Sequence, residues 1–347
     1  MIIKDVISIG STTRDTFFEV DLPITKWPSA PLGKALVIPF GEKFGVKGAY
    51  FTIGGNAANA SVTFARQGLR VGLFTKIGND VAGQEVIKIL KRERVDTRLV
   101  SKSKELPTSY SVLLSQKGDR SILTYHGAIG EFTLEKVNPK LLKSKWWYVS
   151  LPGDSHKALS GILKYAKKRK IKVALNPSYK HLSGDGKSQL LTHLKDLSFL
   201  VVNEGEAAQI TGIPFSKEKE VFQKLDVLVP GIVAITSGRG GVTVSDGKFL
   251  YKAGIFKEKR VVDRTGAGDA FGSGFVAGLI RKEEKFKGGR PKPENVEYAI
   301  RLASANATSV VERMGATEGV LRRRDFDSLP RFKKLKIERR EFKPKKK

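Results

Sequence analysis

The residues best suited to chemistry in this 347-residue chain lie in one run, Val261-Val262-Asp263-Arg264-Thr265-Gly266-Ala267-Gly268-Asp269-Ala270-Phe271-Gly272-Ser273-Gly274-Phe275. Two β-branched residues predict the end of a strand, the glycines predict a tight turn, and small and apolar residues recurring through Phe275, Val276, Leu279 and Ile280 predict a helix. The first amides of a helix have no partner inside it and carry the positive end of its dipole, so such a turn is an anion hole. Gly266 and Gly268 lack a Cβ, which lets a phosphate lie against the peptide groups around Ala267. Asp269 brings a carboxylate to the same place. A second negative charge is ill suited to merely holding phosphate. It suits taking a proton from a hydroxyl that attacks a phosphoryl group, while the amides stabilise the charge that develops. Taken alone, the run is equally a turn between elements with an acidic residue complementing the dipole.

Two further runs carry polar groups at element ends. Phe51-Thr52-Ile53-Gly54-Gly55-Asn56-Ala57-Ala58-Asn59 opens a helix of small residues that closes at Gly68. Asn56 and Asn59 share its first turn, where their amides can donate to and accept from a polyhydroxylated ligand or cap the helix. Phe199-Leu200-Val201-Val202 predicts a buried strand running into Asn203-Glu204-Gly205-Glu206, and Val233-Ala234-Ile235 another running into Thr236-Ser237-Gly238-Arg239-Gly240-Gly241. Asp15 stands between a first strand ending near Gly10 and a second over Thr16 to Val20.

These groups must be positioned by the rest of the chain. Strands at Val71–Gly78, Trp147–Leu151 and Lys172–Pro177 alternate with helices near Asp80–Val95, His156–Lys170 and Ser188–Lys195, and a last helix covers about Pro293–Arg313. Alternation of this kind predicts an α/β fold with a mainly parallel sheet and its cleft at the carboxyl ends of the strands. Thr108–Leu114 and Ser121–Tyr125 alternate around a polar turn, and with Thr16–Val20 and the Pro-rich segment Leu22–Lys47 they supply a small separate sheet that could shield a reacting phosphate from water.

Composition narrows the chemistry. With no cysteine, disulfides, thiolate metal sites and a cysteine nucleophile are excluded, and an intracellular, cytoplasmic setting is expected. No run approaches the roughly 20 apolar residues of a membrane span. His126, His156, His181 and His193 are scattered without an HExxH, Gly186-Lys187-Ser188 lacks the leading glycine of a P-loop, and no serine sits in a G-x-S-x-G elbow. The formal charge is +28; Arg322 to Lys347 hold 13 basic and 4 acidic residues, hence +9. Such basicity attracts polyanions, specifically or not. The segment 321–347 is expected to be a basic tail, in part disordered.

Glycine-asparagine run, N-x-x-E and Asp-Arg-Thr-Gly-Ala-Gly-Asp, in this order and at these separations, resemble the ribokinase or PfkB family of carbohydrate kinases over about residues 3–320. The resemblance implies a three-layer α/β/α kinase domain over 1–320, with a β lid from parts of about 11–50 and 105–126. It implies transfer of the γ-phosphoryl group of ATP to a sugar hydroxyl, or alternatively to a nucleoside. Asp269 would be the general base, with Gly266, Ala267 and Gly268 as the anion hole. Asn203 and Glu206 match residues near the phosphates and Mg²⁺, the latter held largely through water. Thr236, Ser237, Gly238, Gly241, Thr265 and Ser304 fall on the nucleotide side, and Asp15, Gly55, Asn56 and Asn59 on the substrate side. Asp263 and Thr265 match positions where many members bind a monovalent cation such as K⁺, completed by carbonyls near Arg313 to Gly315. Lids in this family often pair into homodimers. A contrasting reading is a catalytically inactive member that binds nucleic acid through its basic surface.

Overall fold

The computed structural model describes residues 3–342 except 31, 117–118, 132, 135–137, 153–155 and 284–290. Its elements run β1 (Lys4–Gly10), β2 (Thr13–Glu19), β3 (Ile24–Lys26), β4 (Lys34–Leu36), β5 (Gly48–Gly54), α1 (Asn56–Arg66), β6 (Val71–Gly78), α2 (Val81–Arg92), β7 (Val100–Ser103), β8 (Tyr110–Gln116) and β9 (Asp119–Tyr125). There follow β10 (Ser144–Ser150), α3 (His156–Lys168), β11 (Lys172–Leu175), α4 (Gly184–His193), β12 (Phe199–Asn203), α5 (Glu204–Thr211), α6 (Glu218–Leu228), β13 (Ile232–Thr236), β14 (Val242–Ser245) and β15 (Phe249–Ala253). The chain closes with α7 (Ala267–Glu283), α8 (Pro293–Val311), α9 (Arg323–Ser328) and β16 (Ile337–Glu341).

The large sheet has the order β16-β15-β14-β13-β12-β11-β10-β1-β6-β7. From β13 to β7 every pairing is parallel, and β14, β15 and β16 extend it antiparallel. Both faces are covered, so neighbouring residues along a strand enter different cores. Trp146 and Tyr148 of β10 join Phe199 and Val201 of β12 against α1, α7 and α8. Trp147, Val149, Leu200 and Val202 point the other way, to α3, α4, α5 and α6. The result is the expected three-layer α/β/α arrangement, whose parallel strands end together at Gly10, Ser150, Leu175, Asn203 and Thr236. The lid is a separate sheet, β5-β2-β8-β9, with β2 and β8 parallel and the outer pairs antiparallel; the Pro-rich segment does not join it as expected, because its strands β3 and β4 pair with each other and β5 takes the edge of β2.

Three expectations are corrected. Val261 and Val262 form no strand; the amides of Val262 and Asp263 donate to the carbonyl of Val311 at the end of α8, so a helix terminus supplies the partner that a strand would have given. The second strand starts three residues earlier than read, at Thr13, which puts Asp15 inside it. Residues 321–342 are no tail: Phe326, Phe332 and Phe342 are buried, and β16 pairs with β15 along its whole length. Gly186-Lys187-Ser188 lie within α4. Residues 343–347 lie outside the described residues. No helix among the described residues is long and apolar enough to cross a membrane.

Candidate active site

The site is built where α1 and α7, both rich in small residues, meet at the carboxyl edge of the large sheet. Helix α7 begins at Ala267, so Asp269 occupies its first turn. Gly266 has φ of 78°, and a Cβ there would stand 2.5 Å from Ala316 Cβ, so only glycine allows the turn to pass this close to the chain after α8. The Ala267 amide reaches the Arg264 carbonyl at 3.3 Å, whereas the amides of Gly268 and Asp269 have no acceptor within the helix. Ala267 is therefore the weakest of the three expected donors.

Asp269 is buried, 8% exposed as a residue. Asn59 Nδ2 donates to its Oδ2 at 2.9 Å. Burial pushes the carboxyl up to about 6, and the Asn59 bond pulls against that rise. A carboxylate that titrates near working pH is well matched to removing a proton. Beneath α7, the Tyr148 hydroxyl is buried and accepts or donates no hydrogen bond among the described residues, and both burial and Asp269 push its pKa up.

Asp15, Gly55, Asn56 and Asn59 are brought together at the seam between lid and body. Asp15 is buried in β2, takes a bond from Thr13 Oγ1 at 2.6 Å, and has its carboxyl raised by desolvation. A Cβ on Gly54 would lie 1.9 Å from Asp15 Oδ2, so that glycine makes the room the carboxylate occupies. Gly55 turns the chain into α1 with φ of 88°. Asn56 Nδ2 donates to Ser150 Oγ at 3.0 Å, while Asn59 Oδ1 is buried and unpartnered among the described residues, hence still able to accept.

On the other side of the α7 terminus lies a cleft of about 230 Å³ whose wall includes Thr236, Gly238, Gly241, Ala267, Gly268 and Ser304. Ile255, Val261, Phe271 and Val311 make much of it apolar, which suits a flat heterocycle. Asn203 sits in register beside Thr236 on the neighbouring strand. It also caps α5: Asn203 Oδ1 takes the Glu206 amide at 2.9 Å, and Glu206 Oε2 takes the Asn203 amide at 2.8 Å. Burial raises the Glu206 carboxyl. One Glu206 oxygen is left over from the cap, which fits a metal approached through water; among the described residues no three acidic or histidine side chains gather to hold one directly. Ser237 is engaged by backbone, its amide bonding the Gly241 carbonyl at 2.9 Å.

Asp263 and Thr265 do come together, and both carboxylate oxygens of Asp263 already accept hydrogen bonds. Asp263 Oδ1 accepts from the Thr265 amide at 3.0 Å and Thr265 Oγ1 at 2.8 Å, and Oδ2 accepts from the Gly315 amide at 3.3 Å. The segment expected to offer carbonyls thus presents an N–H. A fourth direction is taken by Arg120 of β9, whose Nε is 3.9 Å from Oδ1. A carboxylate has about four acceptor positions, two on each oxygen: Oδ1 meets the two Thr265 donors and the guanidinium, whereas Oδ2 meets the Gly315 amide. A side chain of the lid thus already brings positive charge to this carboxylate, while Oδ2 keeps an acceptor position. Arg120 and Ser150 were missed by the sequence reading; Ser150 ends a legible strand, whereas nothing local marks Arg120.

Comparison with known proteins agrees with this architecture. The family described as pfkB family carbohydrate kinase matches residues 38–323. The chain is 29% identical to a ribokinase of Haemophilus influenzae over 283 residues, covering 78% of this chain and 85% of that protein. It is 28% identical to a cytidine kinase of Thermococcus kodakarensis over 264 residues, 76% of this chain and 88% of the other. The structure of an Arabidopsis thaliana ribokinase complexed with ribose and ATP superposes with a TM-score of 0.76 at 21% identity, over 96% of this chain and all of that one.

Proposed function

The chain belongs to the pfkB family of carbohydrate kinases, enzymes that transfer phosphate to a hydroxyl, and from that premise we propose that it uses ATP to phosphorylate a sugar, with Asp269 as general base. The observation that carries the reading is the buried Asp269 carboxylate, held by Asn59 in the first turn of α7, next to the residues that wall the cleft.

ATP occupies the cleft in this reading, its base against the apolar wall and its phosphates toward Gly266 and Gly268. Asp15, Asn56 and the free Asn59 Oδ1 hold hydroxyls of the acceptor. Asp269 takes the proton from the attacking hydroxyl; that oxygen bonds to the γ-phosphorus, the bond to the bridging oxygen breaks, and ADP leaves with its electrons. The amides at the start of α7 offset the charge that builds on the transferring group. Mg²⁺, carried with the phosphates and met by Glu206 through water, would neutralise them further. Most of the catalysis is thus positioning and electrostatics, as phosphoryl transfer requires.

The test is ADP formation over a panel of sugars and nucleosides, with Asp269→Asn alongside. A sugar consumed by the parent and spared by the variant supports the reading, and a variant as active as the parent overturns it. A nucleoside acceptor is the second reading, favoured by the similarity to the cytidine kinase; the same panel separates the two.

A further inference from the structure

Arg120 is a lid residue that reaches into the body. It lies on β9, opposite Ser115 of β8, and its guanidinium approaches Asp263 at 3.9 Å across 143 positions of sequence. Its Nε is buried and has no hydrogen-bond partner among the described residues, so the contact is one of charge rather than of a saturated hydrogen-bond fork. Asp263 is 6% exposed. A buried carboxylate needs a counter-charge, because desolvation penalises an unpaired ion heavily. Asp263 also organises the anion-hole turn, through its bonds to both groups of Thr265 and to the Gly315 amide. Whatever neutralises Asp263 therefore stabilises the turn that precedes Asp269.

We propose that Arg120 supplies, from the lid, the fixed positive charge that balances Asp263 and the anion-hole turn, so that this protein works without a monovalent cation. The proposal rests on the reading of the site as a phosphotransferase. It makes Arg120 a positioning residue: it touches Asp263, and through Asp263 it holds the turn. A guanidinium is always charged at physiological pH and weakly hydrated, which suits a permanent role of this kind. Because the charge arrives on β9, it is also delivered only when lid and body are in the relation seen here.

The experiment compares KCl with tetramethylammonium chloride at equal ionic strength, for the parent, Arg120→Met and Arg120→Lys. Two readouts are taken: the thermal midpoint with ATP present, which needs no acceptor, and turnover on whichever acceptor the panel gives. The parent and Arg120→Lys should differ by less than twofold in turnover between the salts, and their midpoints should not separate. Arg120→Met should lose at least tenfold in tetramethylammonium and recover at least half of that in KCl, with a KCl-specific rise in midpoint. Activation of the parent more than fivefold by KCl overturns the proposal, as does an Arg120→Met protein equal to the parent without K⁺. Should Arg120→Met not fold, the parent and Arg120→Lys decide it by the same salt comparison. Should no acceptor react, the reading of the site fails while the thermal comparison still stands.

Discussion

At the scale of single residues, the chemistry depends on a carboxylate held in an unfavourable place. The folded-state pKa of Asp269, about 6, lies above the ordinary aspartate value of 3.8. Ionising it therefore costs stability: the cost is absent below about pH 3.8, grows as pH rises, and is complete above about 6. A separation of roughly 2 units corresponds to about 3 kcal/mol. Asp269→Asn is expected to lower turnover by about 10²-fold or more. The same variant should gain up to about 3 kcal/mol at pH 8 and nothing near pH 3.5, read by denaturant unfolding at both pH values. The kcat/KM profile of the parent should fall about tenfold per pH unit below about 6, as the base is protonated. Since the Asn59 bond lowers the Asp269 pKa, Asn59→Ala should move that acid limb to higher pH; a limb that stayed or moved down would contradict the assignment of the base.

At the scale of elements, two short turns carry both a structural and a functional load, and their variants separate the two. Asn203 and Glu206 form a reciprocal cap on α5. Asn203→Ala should cost about 1 kcal/mol of stability as a lost cap. If the pair also orders the phosphates and their metal, turnover should fall by more than tenfold; a stability loss with full turnover would reduce the pair to a cap. Gly266→Ala forces a Cβ against Ala316 at a φ of 78°. Strain of this kind costs on the order of 1–3 kcal/mol, and the turn can relieve it only by shifting the amides of Gly268 and Asp269. A lowered thermal midpoint together with weaker ATP binding in calorimetry is expected. The turn was legible because its glycines announce their conformation locally, and the strand leading into N-x-x-E because its apolar run does the same. The valines before the turn were not. A β-branched pair reads as strand by propensity, yet the partner their backbone found was the carbonyl of Val311, about fifty positions on.

At the scale of the whole molecule, the carboxyl-terminal segment belongs to the domain. Cutting after Gly319 would remove buried Phe326, Phe332 and Phe342 and strip β16 from the edge of the large sheet. Loss of a buried Phe side chain alone costs about 3–5 kcal/mol, so this truncation should abolish cooperative unfolding and solubility on expression. Ending the chain at Phe342 removes only residues 343–347, four of them lysine, and should leave midpoint and turnover unchanged while lowering the formal charge from +28 to +24. The charge of this segment had concealed its apolar positions: Phe326, Phe332, Ile337 and Phe342 are spaced among 13 basic residues, and composition averages over them.

The sequence by itself determined the α/β alternation, the family, the glycine turn before Asp269 and the strand end at Asn203, because each of these is written in neighbouring residues whose backbone preferences act over a few positions. Only the tertiary structure decided that Asp269 is held by an amide 210 positions away, that Asp263 faces the guanidinium of Arg120 from the lid, and that the basic terminus closes the sheet. Those outcomes depend on which strand lies beside which and on what water is excluded from, and neither burial nor long-range charge pairing leaves a local mark in the chain.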